Sequence, residues 1–408
     1  MSKLSSFALL ALASMVYPLR AEPAVIVTLS SIGDRIRAQN PDLAAARLRI
    51  QEALGRMNQS GRLSNPEIET GIEHNPRFRE GKFEIGVSQR FPITDRLRLE
   101  KDVSLTELKS SEAEVREVER QLIGQAREAV VKVLATRQRR QLLREQSGVS
   151  REFADFLSEA AGKGEGSSLD AGQAKLEATS LSMEIRQLDA GEAALVGELK
   201  PLLGMRPGEA LSVGGTLPEA TLPTAAADPS RRPDFQVAKL GALAAAQSVA
   251  LEQARRYDDL EGGIFTGVER TEDAPQGYEN EAMVGLRLKI ALPFWNKNEG
   301  NIQEAQARQE RKEKEAVALG RGIRLEAETA RAEMAEWAKL IGEINDTLFP
   351  LADEQTKLTE AAYRNGQGEI QSVLRSREKR LQLAAAKLDA LREFHLARVR
   401  HQTALAKP

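Results

Sequence analysis

From Val284 to Leu292 the chain alternates. Val284, Leu286, Leu288, Ile290 and Leu292 fall on one side of an extended strand, and Gly285, Arg287 and Lys289 on the other. From Asn296 onward the residues are Glu, Gln, Ala and Arg, and the pattern is that of a polar-faced helix. Pro293-Phe294-Trp295 stands at the change. The same switch occurs at Phe91-Pro92. There Phe83, Ile85, Val87 and Phe91 share a face against Lys82, Glu84, Ser88 and Arg90. Two further strands alternate in the same way: Ile68, Thr70 and Ile72 against Glu67, Glu69 and Glu73, and Leu260, Ile264 and Val268 against Glu261 and Glu269.

These segments belong to a repeat. "NPDLAAARLRIQEAL" is echoed by "RPDFQVAKLGALAAA", "FEIGVSQRFPITDRLRLEKD" by "VGLRLKIALPFWNKNEGNIQEA", and "AAGKGEGSSLDAGQAKLE" by "AAYRNGQGEIQSVLRSRE". The echoes come in one order at offsets of about two hundred residues. The pattern divides the chain into residues 1–21, a first repeat over 22–204, an inter-repeat linker over 205–230 rich in Pro, Gly, Ala and Thr, and a second repeat over 231–408. The first repeat is predicted as a helix over 32–61, strands over 66–75 and 82–91, a helix over 93–161, a Gly/Ser turn, and a helix to 203. The second is predicted as a helix over 233–257, strands over 260–270 and 282–292, a helix over 296–362, a turn, and a helix to 404. At ~1.5 Å per residue the long helices run roughly 100 Å, the returning ones roughly 55 Å and the leading ones roughly 40 Å. Two shorter helices end to end beside one long helix make a rod, with all strands at one end.

Composition narrows the solvent. The 408 residues carry a net charge of −2, aromatics are 4 %, and no field favours nucleic acid. "MSKLSSFALLALASMVYPLRA" has the layout of a secretory signal peptide, and no cysteine is present to staple an exported chain or carry a lipid. Strands of about ten residues with polar hairpins then fit a transmembrane barrel, its apolar face in lipid and its charged face lining water. Four strands cannot close one, because such barrels start at eight. Several chains must share it, and three would give twelve strands. Glu67, Glu69, Glu84, Arg90, Glu261, Glu269, Arg287 and Lys289 would face the lumen, and Phe91, Phe294 and Trp295 would sit at the headgroups.

The strand–Pro–helix junctions, chiefly "LPFWNKNEGNIQEAQA", together with the turns "GEGSSLDAGQA" and "YRNGQGEIQSVL", resemble the TolC family of outer-membrane efflux ducts, most closely its heavy-metal branch. The resemblance covers the chain after its leader. It implies a mainly α fold with a small β part: two tandem helix–β-hairpin–long helix–helix repeats that form, as a homotrimer, a 12-stranded transmembrane β-barrel on an α-helical periplasmic tunnel. It implies a location in the bacterial outer membrane, outer-membrane lipid around the barrel, and two partners, a periplasmic membrane-fusion adaptor and an inner-membrane pump of RND type. The Gly-rich turns become periplasmic tips, one at Gly164, Glu165 and Gly166, the other at Tyr363, Arg364 and Gly366. Asp170 then fits an acidic ring at the closed entrance. Ser372 and Arg375 stand where the second repeat would carry carboxylates, which weakens the expectation of a cation-selective entrance.

No residue pattern supports catalysis, a cofactor or a metal centre. His74, His395 and His401 are dispersed, and "GKGEGSS" lacks the Gly-Lys-Ser/Thr ending of a phosphate loop. The main alternative is a structural periplasmic coiled-coil protein with small β inserts. A membrane-fusion adaptor would show one helical hairpin between β-rich domains, whereas two hairpins are predicted here.

Overall fold

The computed structural model describes residues 24–223, 228–273 and 275–406. The signal-peptide expectation for residues 1–21 lies outside them. In chain order the elements are β1 (Val25–Val27), α1 (Ile32–Gln39), α2 (Pro41–Gln59), β2 (Glu67–His74), β3 (Gly81–Phe91), α3 (Arg96–Gly162), α4 (Ser168–Leu202) and β4 (Leu211–Val213). After a 3-10 turn at Pro229–Arg231 come α5 (Pro233–Ala254), β5 (Leu260–Asp273), β6 (Gly277–Lys289), α6 (Glu299–Glu343), a π turn at Ile344–Leu348, α7 (Phe349–Arg364) and α8 (Ile370–Ala404).

The leading helix expected over 32–61 is broken in two. Asn40 is extended, as a residue before proline prefers, and its Oδ1 accepts from the Leu43 backbone N–H at 2.8 Å. The Asn40 amide also donates to the Leu202 carbonyl at 2.8 Å, so one buried side chain starts α2 and closes the end of α4. The matching Arg232-Pro233 starts α5 without a break. There the buried Arg232 pairs with Asp234 at 2.6 Å and with Glu326 at 2.5 Å.

The helix expected over 296–362 runs as α6, the π turn and α7. Pro350 lacks an N–H, and the widened turn just before it absorbs the missing bond. In the first repeat α3 is unbroken over 67 residues, about 100 Å. It packs along α2, α4, α5 and α8, in keeping with the rod expected from helix lengths.

The segment read as a linker is partly built into the fold. Its β4 pairs in parallel with β1, a two-stranded sheet that the sequence reading missed because each strand has only three residues. Met205, Val213 and Leu217 enter the main core with Ile32, Ile36 and Val130. Arg137 on α3 bonds the Val213 carbonyl. Pro and Gly content marked a chain without helix, and tertiary burial gave it a fixed path.

Candidate functional site: a two-faced sheet and paired helical tips

The remaining strands form one antiparallel sheet in the order β2-β3-β5-β6. Register puts Ile68, Ile72, Phe83, Ile85, Val87, Ile264, Val268, Val284, Leu286 and Leu288 on one face. Nothing among the described residues covers them: Leu286 is 82 % exposed, Val284 79 % and Ile68 74 %. β5 and β6 are longer toward their turn than the sequence pattern indicated, reaching Asp273 and starting at Gly277, because the polar residues there still pair. β6 ends at Lys289, so Ile290 and Leu292 continue the apolar face beyond the ladder. No helix among the described residues is long and apolar enough to cross a membrane.

The other face is charged and internally paired. Arg287 bridges Glu69 at 2.7 Å and Glu84 at 2.5 Å, and Glu84 also holds Lys82 at 2.9 Å. Arg90 lies between Glu67 at 3.4 Å and Glu261 at 3.5 Å, and Lys289 approaches Glu261 at 3.8 Å. Seven of the eight residues expected to face a lumen therefore join two networks. The eighth, Glu269, sits opposite Lys82 in the register. One aromatic shares this face. Phe265 lies over Gly285, where a Cβ would come within 2.3 Å of the ring, and the Arg287 guanidinium stacks 5.2 Å from the ring centroid. The sequence signal for this was present in the glycines of β3, β5 and β6, but only the register shows which ring they admit.

At the strand–helix junctions Phe91 is the last residue of β3 and half exposed. Phe294 and Trp295 meet edge to face at 6.3 Å, with Trp295 96 % exposed. Nothing among the described residues explains so open a tryptophan.

At the far end of the rod both turns have one design. Gly164 (φ 76°) and Gly366 (φ 71°) adopt the left-handed conformation that ends α3 and α7. The backbone closes alike, Glu165 N–H donating to the Ala160 carbonyl and Gln367 N–H to the Ala362 carbonyl, each at 2.9 Å. Two of the expected tip residues meet: the Tyr363 hydroxyl donates to Asp170 Oδ2 at 3.4 Å, a long bond joining the two repeats. Burial, then Asp170, pushes the Tyr363 phenol above its ordinary pKa. Arg364, Glu165 and Ser372 are exposed, and among the described residues Arg375 bonds only Gln371 of its own helix at 3.2 Å.

Sequence reasoning missed a second link one turn further in. Arg377 is held by Glu360 at 2.7 Å and lies 4.3 Å over the ring of Phe153, whose edge contacts Tyr363. Nearby, burial raises the Glu177 carboxyl, with Arg377 opposing and Glu378 adding to the shift. Arg377 and Phe153 lie in different repeats, so no spacing along the chain could reveal their contact. Among the described residues no group of His, Asp and Glu is arranged to hold a metal ion.

The comparisons with known proteins point the same way. Residues 32–195 match the family model "Outer membrane efflux protein". No curated protein matches the sequence. Among solved structures the chain is similar to the outer-membrane channel OprN, with 16 % identity, a TM-score of 0.76, and 93 % of this chain and 90 % of that one covered. It is similar to the outer membrane protein VceC of Vibrio cholerae, with 18 % identity, a TM-score of 0.75 and 93 % and 96 % covered. It is also similar to CusC, with 16 % identity, a TM-score of 0.74 and 93 % and 92 % covered. The fold is that of these channels over nearly the whole chain.

Proposed function

We propose that the chain is the outer-membrane channel of a tripartite efflux system, a passive duct from periplasm to exterior and not an enzyme. The observation that carries this is the sheet. Among the described residues its apolar face is bare, seven of the eight charged residues expected on the other face are ion-paired, and its two edges, β2 and β6, have no strand partner. Three copies joined edge to edge would satisfy the edges, bury the apolar face in lipid and enclose the charged face around water. β3, at 11 residues and ~3.3 Å each, spans about 26 Å at ~45° tilt, which matches the ~25 Å apolar band of such barrels.

A duct without a site for chemistry draws its energy from partners. The adaptor and the inner-membrane pump, assigned to the RND type, follow from the family resemblance, as does a cargo of metal cations. The tips, with Asp170 and Tyr363 as their link, are the closed entrance that the adaptor would open.

The test is fractionation followed by conductance in planar bilayers. The protein should sediment with the outer membrane and form discrete channels, and a strain lacking it should lose metal tolerance. Recovery as a soluble periplasmic protein would replace the duct with the structural coiled-coil reading. Unchanged metal tolerance with altered tolerance of organic compounds would keep the duct and discard the cargo.

A further inference from the structure

One stripe of α3, midway along the rod, carries Arg116, Arg120 and Arg127 at helical spacing, with Ile123 and Gly124 between them. Arg37 from α1 and Arg231 from the 3-10 turn join them around a cleft of about 420 Å³ between α3, the start of α5 and the end of α8. Thr403 closes one wall so tightly that a Cβ on Gly124 would lie 3.0 Å from its Oγ1.

The charges in this cleft do not balance. Among the described residues its only lining carboxylate is Glu119, which Arg37 already holds at 2.6 Å, and Asp34, outside the lining, holds Arg37 from the other side at 2.9 Å. Arg120 is held by Glu117 at 2.5 Å and by the Thr403 carbonyl at 2.8 Å. Among the described residues Arg231 reaches only Asp228, at 3.7 Å. Arg116 donates to a neutral acceptor, Gln236 Oε1, at 3.0 Å. Arg127 has no hydrogen bond or ion pair among the described residues, although it is half buried. Burial, then the neighbouring charge of Arg37, pushes its pKa below the ordinary arginine value. An arginine stays charged at any physiological pH, so desolvation and like-charge repulsion here have no internal remedy.

We propose that this cleft binds a small oxyanion, phosphate or carboxylate, held chiefly by Arg116 and Arg127. Guanidinium groups match both anions through paired N–H donors. The anion would tie Arg37, Arg116 and Arg127 of the first repeat to Arg231 of the second and so clamp the two halves at mid-rod. The site does not depend on the duct reading, because it lies in a single chain.

Titration of the detergent-solubilised full-length protein with sodium phosphate, against sodium chloride at equal ionic strength, tests it by calorimetry and thermal unfolding. Phosphate should bind saturably and raise the midpoint. Arg127→Gln and Arg116→Gln should each weaken binding about tenfold. Lys132→Gln, which removes an exposed charge from α3 outside the cleft, should leave it unchanged. Repeating the titration with acetate names the class, since the tighter anion identifies phosphate or carboxylate as the ligand chemistry. If neither anion differs from chloride, or if binding survives in both arginine variants, the site is refuted. Arg116 is exposed, so its variant carries the test should Arg127→Gln fail to fold.

Discussion

The family resemblance placed Tyr363 and Asp170 at or just past the Gly-rich turns, but their contact with each other was not legible in the sequence. The bond is long and half exposed, and a hydrogen bond of that kind to a carboxylate is worth about 1 kcal/mol. Tyr363→Phe should therefore raise the open population of each tip about fivefold, read as increased resting conductance in planar bilayers; an unchanged conductance would show the bond idle. Because the phenol is raised, its contribution is full below its ordinary pKa of ~10 and fades only as pH climbs through the higher folded value. Alkaline shifts short of that range should leave the tips closed. His395 has the opposite sign. It is buried with Nε2 2.8 Å from the Pro218 carbonyl, and burial, with Arg398, lowers its pKa against that bond. Its contribution is present above ~6.5 and is lost as pH falls through the lower folded value. The thermal midpoint should fall below pH ~6.5 more steeply in the native protein than in His395→Gln, and equal slopes would remove His395 as the cause.

Elements were read from period, and period worked where one solvent or one core dictates a face. Three of the four sheet strands were placed to within three residues at each end, β6 starts five residues before its expected position, and the long helices were placed to within one turn at most ends. The reading failed where a single residue or a tertiary contact decides. Pro41 split a helix whose composition continues through it, and β1 with β4 formed from strands too short to have a period. Asn40 is testable at this scale. Asn40→Ala removes both the cap of α2 and the tie to Leu202 and should cost about 2 kcal/mol in denaturant unfolding. Asn40→Asp keeps the cap and should cost less. For the sheet, Leu286→Arg separates two solvents. On a lipid face near the midplane it should cost about 2–4 kcal/mol and lower membrane yield sharply. On a sheet that meets water it should change stability by no more than about 0.5 kcal/mol.

At the scale of the whole molecule the two open edges are the strongest constraint. In lipid each unpaired N–H or carbonyl costs several kcal/mol, so the proposed duct requires β2 of one chain to meet β6 of another until the ring closes. Closure is possible with two chains and eight strands or three chains and twelve. An eight-stranded ring fills with its own side chains, and here the inward face already carries Phe265 and the arginine-bridged networks. Twelve strands are the smaller closure that leaves a continuous bore above a helical tube. Size exclusion with light scattering, corrected for detergent, should therefore give a protein mass about three times that of the exported chain. A mass of twice the chain would close the ring without a bore, and the duct would have to be abandoned even with the protein in the outer membrane.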